Sequence, residues 1–124
     1  MYTSTLKDGR EIAIPAWPIN VALENLTNLG KYLGIDNVIN IASLNVPAVI
    51  VAIMSSDEPK QCASIIKQFV CQARIAGSKI NEGTIDDIFD NNLAAVTEMF
   101  AHVVHAQYSD FFESGLAKEL SPSK

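Results

Sequence analysis

The spacing of hydrophobic positions changes along the chain. Over residues 2–14 it alternates: Leu6-Lys7 leads into Asp8-Gly9, and Arg10-Glu11-Ile12-Ala13-Ile14 follows. Ile12 and Ile14 share one face, so the pattern predicts a β-hairpin. Asp8-Gly9 fits a type I′ turn, which needs positive φ at both central residues. Two strands alone are marginal in water, so this hairpin must lean on other structure. Residues 15–19 read as a linker, because Pro15 and Pro18 each hold the preceding residue extended. Trp17, the only tryptophan, is expected to pin that linker by burying its ring.

From residue 20 the apolar positions recur at steps of three and four. Leu23, Leu26, Leu29 and Leu33 predict a helix over residues 20–33, capped by Asn20 and stopped by Gly34. A second, short helix over residues 37–44 follows an Asp36 cap, with Val38, Ile41 and Ala42 inward. Residues 47–54 are apolar all round. Their four β-branched residues favour a buried strand, whereas Pro47 and the helical neighbours favour a short buried helix, and a buried helix is the expectation. Asp57-Glu58-Pro59 opens a fourth helix expected to run to about residue 76 and stop at Gly77. Its apolar stripe is Cys62, Ile65, Ile66, Phe69, Val70 and Ala73. Lys60, Lys67 and Arg74, seven residues apart, form a basic ridge on another face. After a loop with Gly77 and Gly83, Thr84 caps the last helical region, with Asp87 in a capping-box-like position. Asn91-Asn92 breaks that region in two. Leu93, Val96, Phe100, Val103 and Phe111 carry the apolar stripe onward to about residue 112. The expected architecture is one domain over residues 1–124, mainly α. It is a compact bundle of five or six helices (20–117) with a short N-terminal β-hairpin and a loose tail at 118–124.

Composition adds a charge asymmetry. The 124 residues are 48% hydrophobic and 19% charged, an ordinary globular balance. The net charge is −5, yet residues 1–79 sum to +1 and residues 80–124 to −6. Between Ile80 and Ala117 there is no Lys or Arg. Phosphate recognition needs a basic surface, so nucleic acid is not an expected partner. The longest apolar run spans nine residues, 46–54, where a membrane helix takes about twenty. Met-Tyr-Thr-Ser-Thr has neither the basic nor the apolar part of a secretory signal. The expectation is a cytoplasmic protein with reduced thiols and no membrane contact.

Candidate chemistry is sparse. His102 and His105 stand one helical turn apart and could both touch a metal, with Glu98 or Asp110 as a third ligand. The simpler reading is two polar residues flanking a buried stripe, His105 exposed and His102 partly so. Cys62 and Cys71 fall on opposite sides of one helix, which prevents a disulfide and suits buried structural thiols. Asp86, Asp87 and Asp90 read as a solvated face near a helix start rather than a cation loop. No nucleophile elbow, phosphate loop or dinucleotide fingerprint occurs. The chain is therefore read as non-enzymatic, with no catalytic, cofactor or metal residues.

The stronger signal lies near the C-terminus, where four of the five phenylalanines fall between residues 89 and 112. Phe111 and Phe112 are adjacent, so one helix face cannot bury both in the same place. Either neighbouring helices cover both, or one packs inward while the other meets a second chain. Aromatics beside uncompensated acids mark a protein-binding surface. The candidate surface comprises Tyr108, Phe111 and Phe112 as anchors, with Glu98, Asp110 and Glu113 as an acidic rim.

Leu6-Lys7-Asp8-Gly9-Arg10-Glu11-Ile12, then Trp17-Pro18 leading into Ala22-Leu23-Glu24-Asn25-Leu26, and the closing Gln107-Tyr108-Ser109-Asp110-Phe111-Phe112 with Gly115-Leu116 resemble the tail assembly chaperones of long-tailed bacteriophages. The resemblance spans about residues 5–117. It implies a small, helical, acidic, non-enzymatic protein of the host cell cytoplasm that coats the tape-measure protein and recruits tail tube subunits. It supplies no residue-level binding motif. Self-association into a homo-oligomer is compatible with it. The alternative within the same setting is a structural subunit of a phage tail or baseplate; a small metal or redox enzyme is the third class.

Overall fold

The computed structural model describes residues 1–90 and 92–113, with the Glu113 side chain outside that description. The sequence-derived end of the bundle (114–117) and the loose tail (118–124) lie outside the described residues. The order is β1 (Tyr2–Thr5), β2 (Glu11–Ile14), α1 (Ile19–Leu33), α2 (Ile35–Ala42), α3 (Pro47–Ser55), α4 (Pro59–Val70), β3 (Arg74–Ile75), β4 (Ser78–Lys79), α5 (Ile85–Phe89) and α6 (Leu93–Glu113). The described fold is mainly α, with six helices and a short antiparallel β region, as the hydrophobic periods predict.

The β region is larger than one hairpin. The four strands form an antiparallel meander in the order β1-β2-β3-β4. Tyr2 pairs with Ile14, Ser4 with Ile12, and Ile12 in turn with Ile75, so these side chains share the inward face. The Asp8-Gly9 turn is not type I′. Only Gly9 has positive φ there (95°), and Leu6 N–H donates to the Arg10 carbonyl at 2.9 Å across three loop residues. This is the longer hairpin loop that ends on a left-handed glycine. A two-residue loop with positive φ at both positions occurs instead between β3 and β4, at Ala76 (50°) and Gly77 (84°).

That second hairpin corrects the expected length of α4. The helix ends at Val70, and Arg74–Ile75 turn away to pair with β2. Pairing buries Ile75 against Ile12, which a continued helix could not do. Arg74 therefore leaves the helix, and the basic ridge reduces to Lys60 and Lys67. Elsewhere the helical stripes fall where predicted: Val38, Ile41 and Ala42 on α2, and Cys62, Ile65, Ile66, Phe69 and Val70 on α4, are buried. Residues 47–55 are helix, begun by Pro47 in the first turn.

Leu23 and Leu93 depart from their expected inward positions, at 60% and 77% exposure. On α1 the buried row is Asn25, Leu29 and Leu33, four residues apart, and Leu23 stands roughly opposite it. Asn20 forms no cap, because the helix begins one residue earlier and Pro18 holds the cap position. Leu93 opens α6, before the helix passes under the others.

The core sits where α6 packs against α2 and α4, with the sheet closing one side. Phe69 meets Phe100 (centroids 5.5 Å apart) and the edge of Trp17 (4.9 Å). The linker is pinned as its tryptophan predicts, and it is also clasped by one side chain. Gln107 accepts from the Trp17 N–H at 3.1 Å and donates to the Pro15 carbonyl at 2.8 Å.

Candidate protein-binding surface

The C-terminal helix distributes its candidate residues between inside and outside. Tyr108 and Phe112 are buried, at 3% and 8% exposure. The Tyr108 hydroxyl donates to the Ala22 carbonyl at 2.7 Å, and burial pushes its ionisation above the ordinary tyrosine range. Phe111 lies outside at 37% exposure, its ring edge-on to Phe112 (5.1 Å), and Asp110 is exposed beside it. Glu98 is committed within the fold. Its two carboxylate oxygens accept from the Lys7 N–H at 3.0 and 3.3 Å, which ties the β1–β2 turn to α6. In the free chain, solvent therefore meets Asp110 and Phe111 of that set, while Tyr108 and Phe112 fill the core.

The histidines serve the same tie. Tyr2, on β1, bonds His102 Nδ1 at 2.9 Å and sets its ring against His105 (5.4 Å). His102 Nε2 faces Glu98 at 4.0 Å, and a neutral ring that keeps its proton on that side accepts from the Tyr2 hydroxyl at Nδ1. His105 Nδ1, 2.8 Å from the Ala42 carbonyl, carries the proton it donates there. Burial, with His105 nearby, lowers the His102 pKa from its ordinary 6.5. The expected order of exposure holds, with each residue further in than expected: His102 is buried and His105 half-buried. Among the described residues no group of three or more His, Cys, Asp or Glu could hold a metal. Burial raises both thiol pKa values, aided at Cys71 by Glu82, which leaves both thiols poor nucleophiles.

A second surface emerges from α3. This helix has no polar face, yet it is not buried all round as expected, because the bundle covers only one of its sides. Ala48, Val49 and Ala52 are buried, while Ile50, Val51, Ile53 and Met54 are 37–81% exposed. Beside it, α3, α4, α5 and α6 enclose a groove of about 510 Å³. Ile66 and Phe89 form its buried floor, and Ile53 and Leu93 are its exposed apolar walls. Lys67 and Asp86 are its charged lining residues. Contiguous exposed aliphatics around a concave site mark a place where another apolar surface docks. The sequence signal for it was the uniformly apolar run at 47–54, on a chain too small to bury every side of that helix.

A family model described as phage tail assembly chaperone protein, TAC, matches residues 8–118. The chain belongs to the phage tail assembly chaperone family. No curated protein and no solved structure matches it. A tail assembly chaperone has protein partners in tail assembly, and docking of protein is the chemistry that an apolar groove with few polar groups can perform. No described helix is long and apolar enough to cross a membrane.

Proposed function

We propose that this tail assembly chaperone is non-enzymatic, covers apolar helical stretches of the tape-measure protein and helps recruit tail tube subunits, acting in the host cell cytoplasm. The family match over residues 8–118 carries the reading. The groove beside α3 supports it, because a helix-in-groove partner presents apolar anchors at i, i+3, i+4 and i+7 to such a surface. Several weak sites along one long client give avidity without any strong single contact. The acidic residues 80–124 keep a coated complex soluble. Asp110 and Phe111, outermost of the C-terminal candidates, serve as a second contact at the far end of α6.

Co-expression with the tape-measure protein of the same phage tests this reading. The expected result is a soluble complex that co-purifies, and loss of that complex on Leu93→Glu with the melting temperature unchanged. Purified virions are expected to lack the chain. A chain present in mature tails at fixed stoichiometry would instead identify a structural subunit.

A further inference from the structure

We infer that the groove between α3, α4, α5 and α6 selects a client helix whose aliphatic stripe is bordered by lysine or arginine. The inference rests on the proposed role in covering helical client segments and specifies the chemistry of those segments. The floor and walls of the groove, through Ile53, Ile66, Phe89 and Leu93, ask only for aliphatic side chains. The two rims differ in charge. On the α4 rim, Lys67 Nζ lies 4.0 Å from the exposed Glu82, which partly offsets its charge. On the α5 rim, Asp86 lines the groove, and Asp87 and Asp90 stand on or next to the same short helix. All three aspartates are exposed, and none has an ion-pair partner among the described residues. Arg10 also reaches α5, at the Ile88 carbonyl (2.6 Å) and over the Phe89 ring, but its charge is met by Asp8 at 2.7 Å, so the field along that rim stays negative. A helix with a basic edge lies down with that edge toward α5. A helix with an acidic edge is repelled at the same place. Exposed ion pairs add little energy each, so the aspartates choose among helices and fix their orientation, while aliphatic burial supplies the affinity.

Fluorescence anisotropy with the full chain and labelled peptides of about 18 residues, long enough to form a helix on binding, tests the inference. One peptide carries leucine at i, i+3, i+4 and i+7 with lysine along the neighbouring edge; a second replaces lysine by glutamate. The lysine peptide is expected to bind about tenfold tighter at low salt, with the gap narrowing as salt screens the rim. The triple variant Asp86→Asn, Asp87→Asn, Asp90→Asn should erase the gap. Leu93→Glu should abolish binding of both peptides with the circular dichroism spectrum unchanged, since Leu93 is exposed. Equal affinity for the two peptides overturns the inference, as does a gap that survives the triple variant. Self-association of the chain alone that is lost on Leu93→Glu also overturns it, because a second copy then fills the groove. Tape-measure protein that co-purifies while the peptides bind equally would sink the charge selection alone. Charge-selected peptides without tape-measure co-purification would sink the proposed client and leave the groove chemistry standing.

Discussion

Ala76 holds φ at 50° in the β3–β4 turn, a conformation that an L side chain adopts at a cost. Asparagine tolerates it better, so Ala76→Asn is expected to stabilise the fold by roughly 0.5–1 kcal/mol, seen as a higher urea midpoint with an unchanged slope. His102 carries a pH dependence of known sign. Its folded pKa lies below 6.5 because burial, and then His105, disfavour the charged form. The unfolded chain therefore takes up the proton first, and stability present above pH 6.5 is lost as pH falls toward the folded value. His102→Gln, which still offers an acceptor to Tyr2, should flatten that part of a melting-temperature profile. A mutant profile as steep as the parent's would assign the slope to other groups. Glu98 is a third single-residue lever: Glu98→Ala removes the acceptor for the Lys7 N–H and should cost about 1–3 kcal/mol.

At the scale of elements, local signals and tertiary pairing compete, and the shortened α4 shows tertiary structure winning. The helical stripes of α2 and α4 were legible because only one face of each meets the core, and periodicity records that face directly; α6 is buried all round from Met99 to Val104, and Leu93 and Phe111 of its expected stripe lie exposed. Residues 71–79 were not legible as a hairpin. Ala73 continues the helical stripe of α4, and only the pairing of Ile75 with Ile12, more than sixty positions away, turns the chain into a strand. Periodicity likewise could not tell α3's buried face from its exposed one, since both are aliphatic. In the C-terminal pair Phe111-Phe112 the sequence required the two rings to part, and side-chain packing decides which goes in. Phe112→Ala should therefore destabilise by about 3 kcal/mol or more. Phe111→Ala, at a position 37% exposed, should shift stability much less and chiefly weaken client binding. Equal losses of melting temperature in the two variants would refute this division.

For the molecule as a whole, charge and apolar surface are distributed to different ends of one task. The acids of residues 80–124 oppose self-aggregation. The aliphatics of α3 and Leu93, left in water at 37–81% exposure, are what such a surface charge has to keep soluble. A protein that acted alone would gain by making these positions polar; a chaperone whose client docks there would lose its activity by the same change. Ile50, Val51 and Met54 contribute little to the monomer core, because Ala48, Val49 and Ala52 already seal that side of α3. The triple change Ile50→Gln, Val51→Gln, Met54→Gln should accordingly leave the melting temperature within about 2–4 °C, the shift that corresponds to less than roughly 1 kcal/mol in a domain of this size. The same change should raise the concentration at which the free chain aggregates and reduce recovery of soluble tape-measure protein on co-expression. Phe69→Ala provides the contrast, since truncating that buried ring should cost about 3–5 kcal/mol with no direct effect on the α3 face. Should the triple variant melt as early as Phe69→Ala, the exposed aliphatics of α3 hold the fold together and are not a docking surface. If it melts like the parent and still keeps the tape-measure protein soluble, the client is held elsewhere, and Asp110 and Phe111 at the end of α6 become the surface to test.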